Sequence, residues 1–374
     1  MIKKNLQNIF KKFAYNIFII FHGKIDNSIK PNDHDKIKTN VTTKEEDINY
    51  KVYKIENGRL YTDRIHDTAV IIDNKIIEGP SFQFRRTNDS IIYNSKIDEN
   101  IAFTKGTPRK MKKLDGTVLS LLTGGGGNDN YWHWMFDVLP RISLCSDFYN
   151  LEKIDYFLFP NLEKNFQTDT LDLLEIPKQK RISSVEYRHI KSENIILTDH
   201  PVLVTGNASN DNNNQPAWIS KWYRNFFEEK KILTKEKKKK NFYIDRDDDS
   251  NRSAQRAVSN NNEVKKYLMK ENFIVVKLHK MNFLQQANLF YNAECIVGLH
   301  GAGFANLVFS DPGTKIIELR SSISGNSIKN ICKKNNLIYK PIIVNSKKID
   351  NFNFPNQHGS FEIPVETLKE KIEN

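Results

Sequence analysis

Cysteine is scarce: the 374 residues include only Cys145, Cys295 and Cys332, far apart in the chain. No C-x-x-C pair exists, so neither a zinc knuckle nor a disulfide framework is suggested, and a reducing compartment fits. Cys145 and Cys295 sit in apolar contexts and read as small core residues. Long hydrophobic runs are missing as well. The longest, Ile17 to Phe21, is far too short to span a bilayer, and it lacks the extended apolar core and cleavage site of a signal peptide. No G-x-S-x-G elbow is present, which leaves a serine nucleophile without support. The Gly124 to Gly127 run is not followed by Gly-Lys-Ser or Gly-Lys-Thr, so it is no Walker loop. It reads instead as a flexible loop that lets a substrate come close, with Gly126 and Gly127 nearest the following helix.

What is abundant is positive charge: 57 Lys and Arg against 45 Asp and Glu give a net +12. That balance suits nucleic acid, an anionic membrane face or a phosphate-bearing substrate. No basic strip interleaved with aromatics is found, so nucleic acid ranks last. A hydrophobic content of 39% with 11% aromatics is enough for real cores, and the length allows two domains. At the N-terminus, Ile2, Leu6, Ile9, Phe10, Phe13, Ile17, Ile20 and Phe21 recur every three or four residues, with Lys3, Lys4, Lys11 and Lys12 between them. This predicts a basic amphipathic helix over 1–22, lying on an anionic leaflet or docked on the protein's own core.

Residues 23–47 are polar without periodicity and read as a linker. A first domain over 48–236 follows, opening with short strands and a hairpin turning at Asp73-Asn74. The Val118–Leu122 run reads as a buried strand entering the glycine loop. A helix capped by Asn128 or Asn130 follows, ending or kinking before Pro140. Residues 151–204 show a βα rhythm. Trp218 to Ile232 reads as an amphipathic helix with Trp222, Phe226 and Ile232 near one face. Lys237 to Lys240 is the expected hinge. Beyond it, over 237–345, strands and helices alternate with the regularity of a parallel Rossmann-like sheet, followed by a tail over 346–374.

Three constellations carry chemistry. In Ile296–Phe309 an apolar strand turns through His300-Gly301-Ala302-Gly303 into a segment of helical length, leaving N–H groups aimed at one point. An anion, most often phosphate, is the natural guest there, unless the glycines serve only packing. Asn130, His133 and Asp137 share one helix face, where a His and an Asp one turn apart can deprotonate a hydroxyl or merely pair on a solvated surface. Arg246, Arg252, Arg256 and Asn260 follow a strand end, where arginines can grip a diphosphate. The Asp247-Asp248-Asp249 run between them invites Mg²⁺ or Mn²⁺, or is simply solvated.

Together these segments resemble glycosyltransferase family 61. Asn130-Tyr-Trp-His133-Trp-Met-Phe-Asp137-Val-Leu-Pro140-Arg141 resembles its N-terminal motif, and Tyr243-Ile-Asp-Arg246 with Arg256-Ala-Val-Ser-Asn260 its Arg-rich middle motif. Val297 to Phe309, which contains Asn306, and then Pro312 to Leu319, which contains Glu318, resemble its C-terminal signature. The resemblance implies an α/β, GT-B-like fold with two Rossmann-like domains facing a cleft. It implies inverting, metal-independent transfer from a nucleotide-sugar, commonly a UDP-sugar, with no cofactor beyond that donor. The acceptor would be a glycan or lipid-linked oligosaccharide of bacterial capsular or other surface polysaccharide, and the enzyme would sit peripherally on the cytoplasmic face of the membrane. Asp137 is the expected base with His133 its alternate or partner. Asn130, Trp132, Gly126 and Gly127 line the acceptor side. Arg246, Arg252, Arg256, Asn260, His300, Gly301, Ala302, Gly303 and Asn306 hold the donor, with Glu318 on its ribose. A metal-dependent transferase using Asp247–Asp249, or a silent glycan-binding protein, is the rival reading.

Overall fold

The computed structural model describes residues 2–45, 48–64, 67–81, 84–86, 92–104, 107–122, 130–246, 256–344, 346–347 and 359–373. The chain divides into two compact units, Met1–Asn212 and Asn213–Asn374. The division precedes the Lys237–Lys240 run taken as a hinge, so the helix Ala217–Glu229 belongs to the second unit.

The first unit opens with the helix Ile2–His22. Gly23 stops it in the left-handed region (φ 80°), with its N–H returning to the Ile19 carbonyl at 2.9 Å. The Arg59 guanidinium donates to the His22 carbonyl at 2.8 Å, placing a cation at the negative end of the helix. Among the described residues, no helix is long and apolar enough to cross a membrane.

A ten-stranded mixed sheet forms the body of this unit. Strands Lys112–Ser120, Tyr156–Phe159, Arg181–Ser183 and His189–Thr198 run parallel, as the βα rhythm predicts. The rest is largely antiparallel. Ile48–Glu56 and Arg59–Arg64 are one extended segment, paired in a single register along the same edge of His189–Thr198. Asn57, with φ 55°, interrupts it ahead of Gly58. Each half then takes a different outer neighbour, Ile37–Glu45 for the first and Asp67–Ile72 for the second. Asp73 and Asn74 both have positive φ (43° and 59°), which is the twist-matched two-residue hairpin geometry read from that dipeptide.

Two expectations change here. Residues 23–47 are not a linker, because Asn27–Ile29 and Ile37–Glu45 are strands of the sheet. Their polarity hid this: an edge strand wetted on one side carries Thr, Lys and Asn freely. The protein is mixed α/β with two sheet regions, but the antiparallel half of the first departs from a uniformly Rossmann-like domain.

The second unit matches the alternating pattern closely. Its main sheet is wholly parallel, built from Lys240–Ile244, Ile274–Val276, Ala293–Leu299, Lys315–Arg320 and the short pair Ile338–Tyr339 and Ile342–Ile343. Pro341 splits the last strand, since it has no N–H for the ladder. Numbered in chain order, the strands lie 2-1-3-4-5, a doubly wound topology whose switch point falls between the first and third. Gly298 on the third strand is a packing requirement, because a Cβ there would come within 3.1 Å of the Phe304 ring and 3.2 Å of Ile244.

Three further details differ from the sequence reading. Ala302–Phe309 is a 3₁₀-helix rather than an α-helix. The helix Ala217–Glu229 buries Ile219, Tyr223 and Phe227, four residues apart, rather than the face carrying Trp222 and Phe226. Of the stretch 346–374 read as a tail, the described residues are part of the fold. Gly359–Phe361 pairs with Arg256–Val258, and Phe361, Ile363 and Leu368 are buried in the unit's core.

Candidate functional site

In the first unit the chemistry gathers on the helical segment after the parallel strand Lys112–Ser120. Asn130 caps it, accepting a hydrogen bond from the Trp132 N–H at 2.8 Å. Tyr131–His133 is α-helical, Trp134–Val138 widens into a π-turn, and Pro140–Ser146 resumes the α form. Pro140 explains the widening. It lacks an N–H and its ring would clash with the Phe136 carbonyl, four residues back, in a regular helix. The helix therefore does not end at Leu139 but kinks there; the Leu139 N–H bonds the Trp134 carbonyl five residues back, at 3.1 Å. Such turns are frequent at functional sites.

The π-turn brings His133 Nδ1 to 2.6 Å from Asp137 Oδ2. Asp137 is nearly sequestered, with its side chain 6% exposed, whereas the His133 side chain is 34% exposed. Two further groups lie behind the carboxylate. His200 Nε2 lies 3.8 Å from the same oxygen. Arg141, fully buried, donates from Nε to the Asp137 carbonyl at 2.7 Å and from Nη1 to the Thr198 carbonyl at 3.2 Å. His200 Nδ1 accepts hydrogen bonds from the Val202 and Leu203 N–H groups, both at 3.1 Å, so the proton of its neutral form sits on Nε2, toward Asp137. Burial pushes the His200 pKa down to about 3.

Each member of the pair favours the charged form of the other. Burial raises the Asp137 pKa, but the charge of His133 and the His200, hydrogen-bond and Arg141 contributions outweigh it, so the net shift is downward. Burial lowers the His133 pKa, but the Asp137 charge and hydrogen bond outweigh that and the net shift is upward. The arrangement is a histidine oriented by a buried acid, with the imidazole as the more accessible member. Trp132 is half-buried and lies over the Phe136 ring, 4.7 Å between centroids. Gly126 and Gly127 lie outside the described residues.

In the second unit, the functional side chains collect at the carboxyl ends of the first and third strands. Arg246 follows Lys240–Ile244 and donates from Nη1 to the His300 carbonyl at 3.2 Å. His300 follows Ala293–Leu299 and is anchored through its own N–H to the Leu319 carbonyl at 2.8 Å. The adjacent Asp245 is 3% exposed and binds Asn261 Nδ2 at 2.9 Å and Lys265 Nζ at 3.4 Å, with Lys277 Nζ 4.0 Å away. Arg246 and His300, ahead of the N-terminal turn of a helix, thus meet at the switch point, where doubly wound folds bind ligands, while Lys265 and Lys277 pair with Asp245.

Several expected ligand-facing residues have supporting positions instead. Glu318 is fully buried, with one oxygen on His300 Nδ1 and the other accepting from the Tyr339 hydroxyl. Arg320 Nη1 lies 3.8 Å from that second oxygen. The placement does not suit ribose hydroxyls; it suits holding the His300 ring. Asn306 is fully buried and binds Gln286 Oε1 and the Gly303 carbonyl, both at 3.1 Å, which ties down the 3₁₀ turn. Asn260 is engaged on both sides of its amide by the backbone of Ile363, at 2.8 and 2.9 Å, and so pins the C-terminal segment. A Cβ on Gly303 would approach Leu278 Cδ1 to 2.7 Å, so a side chain there would have to displace the end of Leu278. Gly301 and Ala302 occupy the turn as expected, with Gly301 capping the 3₁₀-helix.

Arg252 and Asp247–Asp249 lie outside the described residues, as does the Arg256 side chain, although its backbone opens the strand Arg256–Val258. Among the described residues, no group of three or more His, Cys, Asp or Glu could hold a metal ion. The sequence reading missed His200, Asp245, Lys265, Lys277 and Tyr339. His200, Asp245 and Lys277 had a usable signal, since each follows the end of a parallel strand. Lys265 and Tyr339 had none, because they are brought in by packing.

Residues 131–317, half of the 374-residue chain, match the family model described as glycosyltransferase 61. No curated protein matches the chain.

Proposed function

Because the chain belongs to glycosyltransferase family 61 and so catalyses sugar transfer, we propose that it is an inverting, metal-independent enzyme using a nucleotide-sugar, most simply a UDP-sugar. The acceptor is a glycan or lipid-linked oligosaccharide of surface polysaccharide synthesis, met in the cytoplasm at the inner face of the membrane. The division of labour is GT-B-like: the second unit binds the donor and the first activates the acceptor.

The observation that carries this reading is the meeting of Arg246 and His300 at the switch point. A leaving nucleoside diphosphate needs cations and oriented N–H groups to take up its charge. Arg246, His300 and the Gly301–Gly303 backbone supply both, with Arg252, Arg256 and the Asp245-paired Lys265 and Lys277 as further candidates. Glu318 holds Nδ1, so His300 would meet a diphosphate oxygen through Nε2, donating to it when the ring carries both protons.

On the acceptor side, His133 takes the role of base and Asp137 that of its orienting partner, the reverse of the expectation from spacing. Burial is the reason. A carboxylate that is 6% exposed and already bound to an imidazole is poorly placed to meet an acceptor hydroxyl, whereas the imidazole is one-third exposed. With Nδ1–H on Asp137, His133 Nε2 carries the lone pair that removes the hydroxyl proton as the oxygen attacks the anomeric carbon. Inversion follows from a single displacement by that oxygen.

The test is a thermal-shift panel of nucleotide-sugars followed by nucleotide-release assays with the stabilising donor. A UDP-sugar should raise the melting temperature. Arg246→Ala and His300→Ala should each abolish the rise, and EDTA-treated protein should keep its turnover. Loss of turnover in EDTA with recovery on Mn²⁺ would replace this reading by the metal-dependent one through Asp247–Asp249.

A further inference from the structure

The N-terminal helix shows two different apolar surfaces. Phe18 is fully buried against the first unit's core, and Tyr15 packs beside it with its hydroxyl donating to the Phe103 carbonyl at 2.5 Å. His22 is anchored in the same place through Nε2 to the Arg109 carbonyl, at 2.8 Å. On the outside, Leu6, Ile9, Phe10, Phe13, Ile20 and Phe21 are 61–77% exposed. At about 100° per residue these six fall within roughly 120° of arc, while Phe18, Tyr15 and His22 point roughly 120–180° away from its middle. Docking on the protein therefore leaves the main apolar stripe uncovered. Six large side chains at this exposure make a patch on the order of several hundred Å², the size at which an exposed apolar surface commonly marks an interaction site.

We infer that this stripe is a docking surface for an anionic lipid bilayer, with the helix lying in the interface plane. Charge complementarity selects this occupant. The helix carries Lys3, Lys4, Lys11 and Lys12 and no Asp or Glu. Lys11 and Lys12 are exposed and lie roughly 120–140° from the middle of the stripe, on the polar side of the helix, from which long flexible stems carry ammonium groups back toward lipid headgroups while the stripe enters the acyl boundary. The Gly23 stop and the Arg59 clasp on the His22 carbonyl fix the helix to the sheet, so the surface holds the body of the first unit beside the bilayer rather than on a tether. The inference deepens the membrane location proposed above and rests on it, but it is independent of the transfer chemistry.

The experiment is co-sedimentation of the full chain with phosphatidylcholine vesicles, with and without one-third phosphatidylglycerol. Wild type should pellet with the anionic vesicles at least about tenfold more than with the neutral ones. Phe10→Ser/Phe13→Ser/Ile20→Ser should lose at least about tenfold of that binding. Lys11→Glu/Lys12→Glu should lose only the preference for anionic lipid. All three positions of the first variant are exposed, so its melting temperature and nucleotide-sugar thermal shift should match wild type. The inference is overturned if wild type pellets with neither vesicle, or if the triple variant pellets like wild type. It is also overturned if wild type forms a dimer that the triple variant abolishes without any vesicle binding, which would make a second copy the occupant. Pelleting needs no turnover, so its failure leaves the transferase reading standing.

Discussion

Replacing Asp137 by Asn tests the dyad more sharply than removing either side chain outright. The substitution keeps the shape of a side chain that is 6% exposed and removes its charge. Three groups feel the loss: His133 at 2.6 Å, His200 at 3.8 Å and the buried Arg141. His133 holds its proton more tightly than a free imidazole because of Asp137, against the opposing effect of burial. A base works only when deprotonated, so wild-type kcat/KM should rise with pH through a midpoint above 6.5. In Asp137→Asn only burial is left of these influences, so the midpoint should move down. At pH values above both midpoints the variant should still be slow, because Asn does not reproduce the carboxylate's hold on Nδ1–H. His133→Ala, which removes the base itself, should lose about 10²–10⁴-fold, or roughly 3–5 kcal/mol in the barrier. Stability should fall too. Removing a charge from beside a buried guanidinium costs on the order of 3 kcal/mol, and His133 softens this by shedding its proton. The assay is nucleotide release from the stabilising donor as a function of pH, with urea unfolding alongside. An unmoved acidic limb in Asp137→Asn, or more than a tenth of wild-type activity in His133→Ala, would refute the assignment.

Three further outcomes are expected. Glu318→Gln should lower kcat/KM by roughly 10–100-fold through loss of a charged hydrogen bond to His300, with Tyr339→Phe a milder version; nucleotide release and the donor thermal shift report it. Gly298→Ala should cost about 1–3 kcal/mol in urea unfolding, because Ile244 Cβ, at 3.2 Å from the added methyl, cannot move without the strand. Acid should destabilise the first unit well above the carboxylate range. Burial depresses both His189 and His200 to about 3, so the unfolded chain binds more protons below pH 6.5, and stability present above 6.5 is lost as pH falls toward 3. Urea midpoints at pH 7.5 and pH 5 check this, and equal midpoints would contradict it.

Legibility differed between the two units for physical reasons. In the second, the central parallel strands Lys240–Ile244, Ala293–Leu299 and Lys315–Arg320 are largely buried, so the sequence alternates between apolar runs and helical stripes. The 2-1-3-4-5 sheet was readable at the level of its elements, and His300 and Arg246 at its rim followed from the strand-end rule. In the first unit, Ile37–Glu45 is wetted on one side and reads as a polar connector. The break at Asn57-Gly58 that hands one long segment to two outer neighbours has no periodic signature. The Pro140 kink was legible, but the π-turn that accommodates it was not. That turn sinks Asp137 into the protein while keeping His133 within reach of solvent.

What the sequence determined by itself was chemistry in order along the chain: a His and an Asp before a proline, arginine at a strand end, and a His-Gly-Ala-Gly turn after a buried strand. Local spacing and propensity act within a few residues, and these features need nothing more. The tertiary structure decided which members of those motifs face a ligand. Glu318, Asn306 and Asn260 look like ligand groups in the sequence, yet in the fold their polar atoms meet His300, Gln286 and Ile363. Buried polar groups must find partners, and those partners come from strands and loops that only folding brings together.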